Sequence, residues 1–231
     1  MNRNLDELER GWRQSGDLED DVRYLLAMIG TGILDHGRIQ MAASLGHLAA
    51  RATGAVVAPL PAHYRSKVKA AALVLSHNEA ISFALDCAIR VLHAWESIHS
   101  DDTRPRKALQ ATRSWLIGQV TGEAAERAAL EAANAGVEAS DPNEVAPHPS
   151  VIAARYAADA ASHAALAADF ATKLAEGQDD YTDAVADCAA YSARFAASAA
   201  PDPDMERDWQ VKQLANYVLK RAEPLWTTWD G

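Results

Sequence analysis

The sequence predicts an all-α protein, folded as a single multi-helix bundle of about nine or ten mostly antiparallel helices. Three observations lead to this prediction. Alanine, the best helix former, makes up roughly a fifth of the chain. Apolar residues recur at helical spacing in every long segment, and no segment alternates as a strand would. Breaker residues separate these segments at short intervals, which favours antiparallel neighbours.

The N-terminal part of the chain contains four predicted helices, each followed by a breaker. Ser15-Gly16-Asp17 separates the first from the second, and Asp35-His36-Gly37 separates the second from the third. Gly54 ends the third helix, and Pro59 and Pro61 mark the loop before the fourth. The four helices are predicted over residues 4–12, 18–34, 38–51 and 63–75.

The central part contains the strongest amphipathic segment, residues 81–98, and a further helix that starts at Pro105. Proline fits the first turn of a helix because the N–H that it lacks has no partner there. Residues 140–149, with three prolines and two acids, form the best predicted loop. The remaining helices are predicted over residues 105–117, 123–138, 150–174, 181–200 and 205–222, before a tail with Trp226 and Trp229.

The composition limits the partners and the compartment. The net charge of −10 disfavours nucleic acid, because binding to a phosphate backbone needs a cationic surface, whereas it favours a basic partner. No apolar run reaches the ~18 residues of a membrane span, and the first residues lack the apolar core of a signal peptide. We therefore expect a cytoplasmic protein without membrane contact. Cys87 and Cys188 lie in apolar helical patterns, which predicts buried, reduced thiols.

A polar hinge at residues 100–104 joins two predicted helices, and each of these helices has a polar stripe. Residues three or four apart share a helix face, and two antiparallel helices would bring the two stripes together. Asp101 and Asp102 lie where they would cap the second helix and favour its positive N-terminus. The stripes consist of Ser82, Asp86, Arg90, His93 and Ser97 before the hinge, and of Arg106, Gln110 and Arg113 after it.

These stripes allow a structural and a functional interpretation. In the first, the charges pair with one another, as the i,i+4 spacing of Asp86 and Arg90 favours, and fix the angle between the helices. In the second, they bind a ligand or a partner. A third stripe contains Arg155, Asp159 and His163, and His163 is predicted to be a hydrogen-bonded interhelical histidine rather than a catalytic base. The candidate site residues are Asp86, Arg90, His93, Asp101, Asp102, Arg104, Arg106, Arg113, Arg155 and His163.

The sequence contains no recognisable catalytic or metal-binding motif. It has no Gly-rich phosphate loop, HExxH or GxSxG. Glu96 and His99 form a single Glu-x-x-His step, whereas a di-iron site uses two such steps and two further glutamates. We therefore expect no metal and no cofactor, and the catalytic residues, if there is a reaction, stay unknown.

Several segments of the chain resemble a known family. They are Phe83–Leu92, which contains Asp86-Cys87-Ala88, and His99–Leu109, which contains Arg104-Pro105-Arg106, followed by residues 111–115. Residues 155–165, with His163 between alanines and serine, are similar to an alanine-rich helix of that family. Together they resemble the fifth immunity-protein family of bacterial polymorphic-toxin systems. The chain differs from the family pattern at Ile89, where the family has Glu, and by the inserted Thr103.

The resemblance implies a non-catalytic bacterial protein that binds and neutralises a cognate toxin. It extends over about residues 76–200, the predicted immunity-like core of a single domain over 1–231, with residues 1–60 outside the resemblance and 201–231 as a C-terminal helix and tail. A homodimer stays open. The alternative is a small-molecule enzyme or binding protein, for example in biosynthesis. Its cavity between helices would be lined by Asp86, Arg90, Asp102, Arg104, Arg113 and His163.

Overall fold

The computed structural model describes residues 3–139, 148–178, 181 and 183–229, and over these residues it contains eleven α-helices and no strand. The predicted all-α fold is confirmed. Most of the loop predicted at 140–149 lies outside the described residues. The helices are α1 Arg3–Ser15, α2 Leu18–Gly30, α3 His36–Ser44, α4 Leu48–Ala52, α5 Tyr64–Ala72, α6 His77–Glu96, α7 Arg104–Leu116, α8 Gly122–Glu138, α9 Pro149–Ala175, α10 Ala184–Ala199 and α11 Pro203–Val218.

One more helix is present than the upper end of the predicted range because the segment predicted at 38–51 is divided. Gly46 has a φ of 99°, a left-handed conformation that L side chains rarely adopt, and it separates α3 from α4. The N–H of Gly46 donates to the carbonyl of Ala43, which closes the last turn of α3. Apolar periodicity continues across this break, so the pattern alone predicts a single helix.

The described chain forms two compact units. The first unit comprises residues 1–61 and 211–222, and the second comprises 62–210 and 223–231. In the first unit, the guanidinium of Arg221 lies 3.6 Å from the centre of the Trp12 ring and pairs with Asp21 at 2.6 Å. The buried Arg38 donates to the carbonyls of Tyr217 and Val218 at the end of α11. The predicted single domain stays a prediction.

The second unit is built around α9, which packs against α6, α7, α8 and α10. Its contacts with α8 and α10 are made largely by alanines, so the helix axes approach closely. The hydroxyl of Ser192 on α10 lies 3.0 Å from the carbonyls of both Ala84 and Ala160, on α6 and α9. Larger side chains are consequently displaced to the rims of these interfaces.

Helix α6 occupies the interior of the second unit. A capping box between Ser76 and Glu79 defines its start. Every residue from Ala80 to Ala88 is buried, including Ser82 and Asp86 of the polar stripe. Cys87 and Cys188 are buried free thiols, as predicted, and burial raises the pKa of Cys188 to about 12. Ile98, the last residue of the amphipathic segment predicted at 81–98, is exposed because α6 ends at Glu96.

None of the described helices is long and apolar enough to cross a bilayer.

Candidate functional site

The hinge between α6 and α7 is held by two groups of ion pairs. The Arg104 guanidinium binds both carboxylate oxygens of Asp102, and its Nη2 also lies 2.7 Å from Glu138 on α8. Arg106 pairs with Glu96, at the end of α6, at 2.7 Å. These pairs join the hinge to three helices, which is the geometry that the structural interpretation predicts.

Asp102 also closes the first turn of α7. Its Oδ1 accepts from the backbone N–H of Arg104, while its carbonyl accepts from the indole N–H of Trp95. The hydrogen bonds from Arg104 hold the pKa of the Asp102 carboxyl below its usual range and raise the pKa of Arg104. Asp101, the other predicted capping residue, is exposed.

The two predicted polar stripes meet the C-terminal segment of the chain. Asp86 is fully buried, and its Oδ1 accepts from the backbone N–H of Trp226 at 3.3 Å. Arg113 donates to the carbonyl of Trp229 at 2.6 Å, and the Arg106 guanidinium lies 5.6 Å from the centre of the Trp229 ring. Residues 223–229 therefore pack against α6 and α7 within the second unit, and this is where both tail tryptophans lie.

Removing this tail should destabilise the second unit. Deletion of residues 224–231 takes one N–H donor from the buried Asp86 and the carbonyl acceptor from Arg113. We expect a loss of about 1–3 kcal/mol in the free energy of unfolding, measured by urea denaturation. Replacing Thr228, an exposed residue of the same tail, by Ala is the control and should change little. A deletion variant as stable as the parent would contradict the role of the tail.

Arg90 is bound to a carboxylate from α11. Its Nε and Nη2 lie 3.0 and 2.9 Å from Oε2 of Glu206, and its guanidinium lies 4.0 Å from the centre of the Trp209 ring. Glu206, only 4% exposed, also accepts from the amide of Gln210, which in turn accepts from the Tyr64 hydroxyl. Glu206, Gln210 and Tyr64 are not among the site residues predicted from the sequence. The signal was present in the i,i+4 spacing of Glu206 and Gln210, but no local pattern joins them to Arg90.

His93 lines a cavity of about 520 Å³ between the end of α6, the start of α9 and the end of α10. Ser97, Ser150 and Ser198 also contribute to its wall. A second, smaller cavity of about 130 Å³ lies beside Leu73 and Val185. Neither of these two cavities is lined by Asp86 or Arg104, the residues that the small-molecule alternative places at its centre.

The third predicted stripe lies on α9 beside a group of aromatic rings. His163 Nδ1 donates to the carbonyl of Asp159 at 2.9 Å, which leaves the neutral ring with Nε2 as an acceptor. The His163 ring packs against Tyr191 and Phe195 of α10, with ring centres 5.1 and 5.2 Å away. Arg155, one turn before Asp159, is exposed. The ten predicted residues are thus distributed over several places rather than one cleft.

Burial of His163 should make stability depend on pH. Desolvation lowers the pKa of His163 below the 6.5 of an exposed imidazole, so the unfolded chain takes up the proton first. The part of the stability that depends on an uncharged His163 is therefore fully present above pH 6.5. It is lost as the pH falls from there through the lowered pKa of the folded state. His163→Gln should make this decrease shallower in urea titrations between pH 7 and 5, and the exposed His36→Gln is the control. An unchanged slope in His163→Gln would contradict the assignment.

Among the described residues, no group of three or more His, Cys, Asp or Glu side chains is placed to hold a metal ion. Glu96 of the Glu-x-x-His step is paired with Arg106, and the His99 ring packs against Trp95 with ring centres 4.4 Å apart.

Comparison with known proteins identifies one family. No curated protein and no solved structure matches the chain. Residues 73–187, about half of the chain, match a family model described as Imm-5 like putative immunity protein. The match includes the hinge, both polar stripes and His163. It ends at residue 187, whereas the resemblance predicted from the sequence extends to about residue 200. The predicted resemblance is confirmed: residues 73–187 of this chain belong to the family of Imm-5 like putative immunity proteins.

Proposed function

We propose that this protein binds a cognate bacterial toxin and neutralises it in the cytoplasm, without catalysis. The family match over residues 73–187 is the observation that supports this proposal most directly. The geometry is compatible with it, because most of the charged residues of the family motif hold protein groups. Asp102 and Arg104 bind each other, Arg106 binds Glu96, and Arg113 binds the tail. They build a rigid helical scaffold, and a rigid surface reduces the entropy lost when a partner binds.

Neutralisation can be tested with a toxin domain encoded by a gene adjacent to the one for this protein. The neighbouring toxin domain is expressed in a heterologous bacterial host from an inducible promoter, with and without this protein. We expect the toxin to stop growth unless this protein is also expressed. We also expect this protein to give no protection against a toxin domain from an unrelated system. Loss of growth in the presence of this protein, at equal expression of both chains, would refute the proposal.

A second candidate function, small-molecule binding, is favoured by the cavity beside His93. Its volume of about 520 Å³ is in the range of ligand pockets, and its wall combines apolar atoms with three hydroxyls and an imidazole. A thermal-shift screen of metabolites with the parent and with Ala94→Trp, which should fill the cavity, tests this. A ligand that stabilises the parent and not the variant would favour the second candidate over toxin binding.

A further inference from the structure

Aromatic side chains from two helices form a continuous group at the surface of the second unit. Tyr191 and Phe195 of α10 lie 6.1 Å apart by ring centres, and Tyr156 of α9 stacks on Phe195 at 5.9 Å. His163 contacts both rings of α10. None of these four side chains is buried and none is fully exposed. We call this group, with Arg65, Arg155 and Arg194, the arginine–aromatic patch.

The position of the rings follows from the packing of α9 on α10. The interface between these helices consists largely of alanines, which bring the helix axes too close for a ring to fit between them. The rings therefore lie along its outer rim, where they pack against one another and keep one side accessible. Their mutual contacts restrict their rotamers before any partner binds, which lowers the entropy lost on binding.

Two arginines stack on these rings, and a third precedes one of them in sequence. The Cζ of Arg65 on α5 lies 4.5 Å from the centre of the Tyr191 ring, and that of Arg194 lies 5.6 Å from the centre of Phe195. Arg155 precedes Tyr156 on α9 and is exposed. A guanidinium stacked on a ring keeps the N–H groups at its edge free, and these match a carboxylate in two parallel hydrogen bonds.

These arginines differ from several other cations of the second unit. Arg90, Arg104, Arg106 and Arg207 each pair with a carboxylate, as does Lys69 close to Arg65 in sequence. Over the described residues, the side chains of Arg65, Arg155 and Arg194 have no hydrogen bond or ion pair, although the chain has ten more acids than basic residues. The nearest carboxylate in sequence to Arg155, that of Asp159, lies beside Gly136 of α8, and the charge of Arg155 acts on it without forming an ion pair.

We propose that the arginine–aromatic patch is the surface on which the toxin docks, through a segment of the toxin that presents carboxylates beside apolar side chains. This inference rests on the proposed function and names the contact surface for it. Tyrosine and arginine are the residues that most often dominate binding energy at protein interfaces. The rings of the patch would exclude water from the ion pairs and so strengthen them. The net charge of −10 acts at longer range and does not determine which groups meet at this surface.

The test measures the affinity for the toxin domain of the neutralisation experiment, in a form inactivated by mutation. Calorimetric titration compares the parent with the triple variant Arg65→Gln/Arg155→Gln/Arg194→Gln. The matched control is Arg127→Gln on α8, an exposed arginine that also lacks a pairing carboxylate in the described part of the chain. We expect Kd to rise about thirtyfold or more in the triple variant and less than about twofold in the control. If the triple variant does not fold, Arg155→Gln/Arg194→Gln replaces it, with an expected rise of about tenfold.

The outcomes separate the two proposals. If the parent neutralises the toxin and the triple variant binds it equally well, the patch is not the docking surface and the proposed function stands. If the parent neither binds nor neutralises the toxin, both proposals fail. A separate measurement tests whether the parent and the triple variant bind a fluorescent single-stranded oligonucleotide. Binding to the parent that disappears in the triple variant would assign the patch to a phosphate backbone and overturn docking of an acidic protein segment.

Discussion

Replacing Gly122 by alanine should destabilise the protein by about 1–3 kcal/mol, because the close approach of α8 to α9 leaves no room for a methyl group. A Cβ on Gly122 would lie 2.6 Å from Cβ and 3.1 Å from Cγ2 of Thr172. Thr172 is not free to rotate away. Its hydroxyl accepts from the indole N–H of Trp115 and donates to the carbonyl of Ala168. The helices must therefore move apart, and the measurement is the urea midpoint followed by tryptophan fluorescence.

Two other helical glycines provide controls for this substitution. Gly136 lies on the same helix against α9, but its nearest neighbour would be 3.5 Å from an added Cβ, an ordinary contact. Gly11, inside α1, has no atom within 4 Å of that position. Gly136→Ala should change stability by less than about 1 kcal/mol, and Gly11→Ala should raise it by up to about 1 kcal/mol through helix propensity. Equal stabilities of the Gly122 and Gly136 variants would show that α8 adjusts easily.

Removing the Glu206 carboxylate should have a comparable effect for an electrostatic reason. Glu206→Ala leaves the Arg90 guanidinium and the Gln210 amide without their acceptor inside the second unit. Breaking a fully buried pair costs about 3–5 kcal/mol, and because the Arg90 side chain is 35% exposed, we expect about 3 kcal/mol here. Glu206→Gln, which keeps one acceptor oxygen, should lose about half as much.

Asp204→Ala is the matched control for Glu206. Asp204 lies on the same helix and pairs with Arg207 at 2.8 Å, but its side chain is 91% exposed, so its removal should cost less than about 1 kcal/mol. A double-mutant cycle of Arg90→Ala with Glu206→Ala should give a coupling energy of about 1–3 kcal/mol. A coupling energy near zero would show that Arg90 and Glu206 act independently.

The fold could be predicted because helix formation depends on residues that are close together in the sequence. Alanine content, apolar spacing and the breakers predict the helices, and in the structure Ser76 and Thr121 cap the starts of α6 and α8. The division of the third predicted helix was missed because the positive φ of Gly46 is a conformation, not a pattern. Glycine within an apolar repeat fits a continuous helix as well as a break.

The candidate site could be predicted only in part, because periodicity shows which residues share a face and not what they meet. Asp102, Arg104 and Arg106 were recognised, and their partners include the sequence neighbours Asp102 and Glu96. Arg90 was expected to pair with Asp86, four residues away, whereas the structure gives it Glu206, more than a hundred residues later. Such partners depend on how helices pack, which no single segment of the sequence records.

The order of segments in the two units has a consequence for synthesis of the chain. The first unit needs residues 211–222, which follow the main part of the second unit, and the second unit needs residues 223–229, which follow those. Neither unit is complete until nearly all of the described chain has left the ribosome. Until then, the Asp86 carboxylate lacks the backbone donor of Trp226 and the carbonyls at the end of α11 have not met Arg38. The chain therefore cannot complete one unit before nearly all of the other has been synthesised.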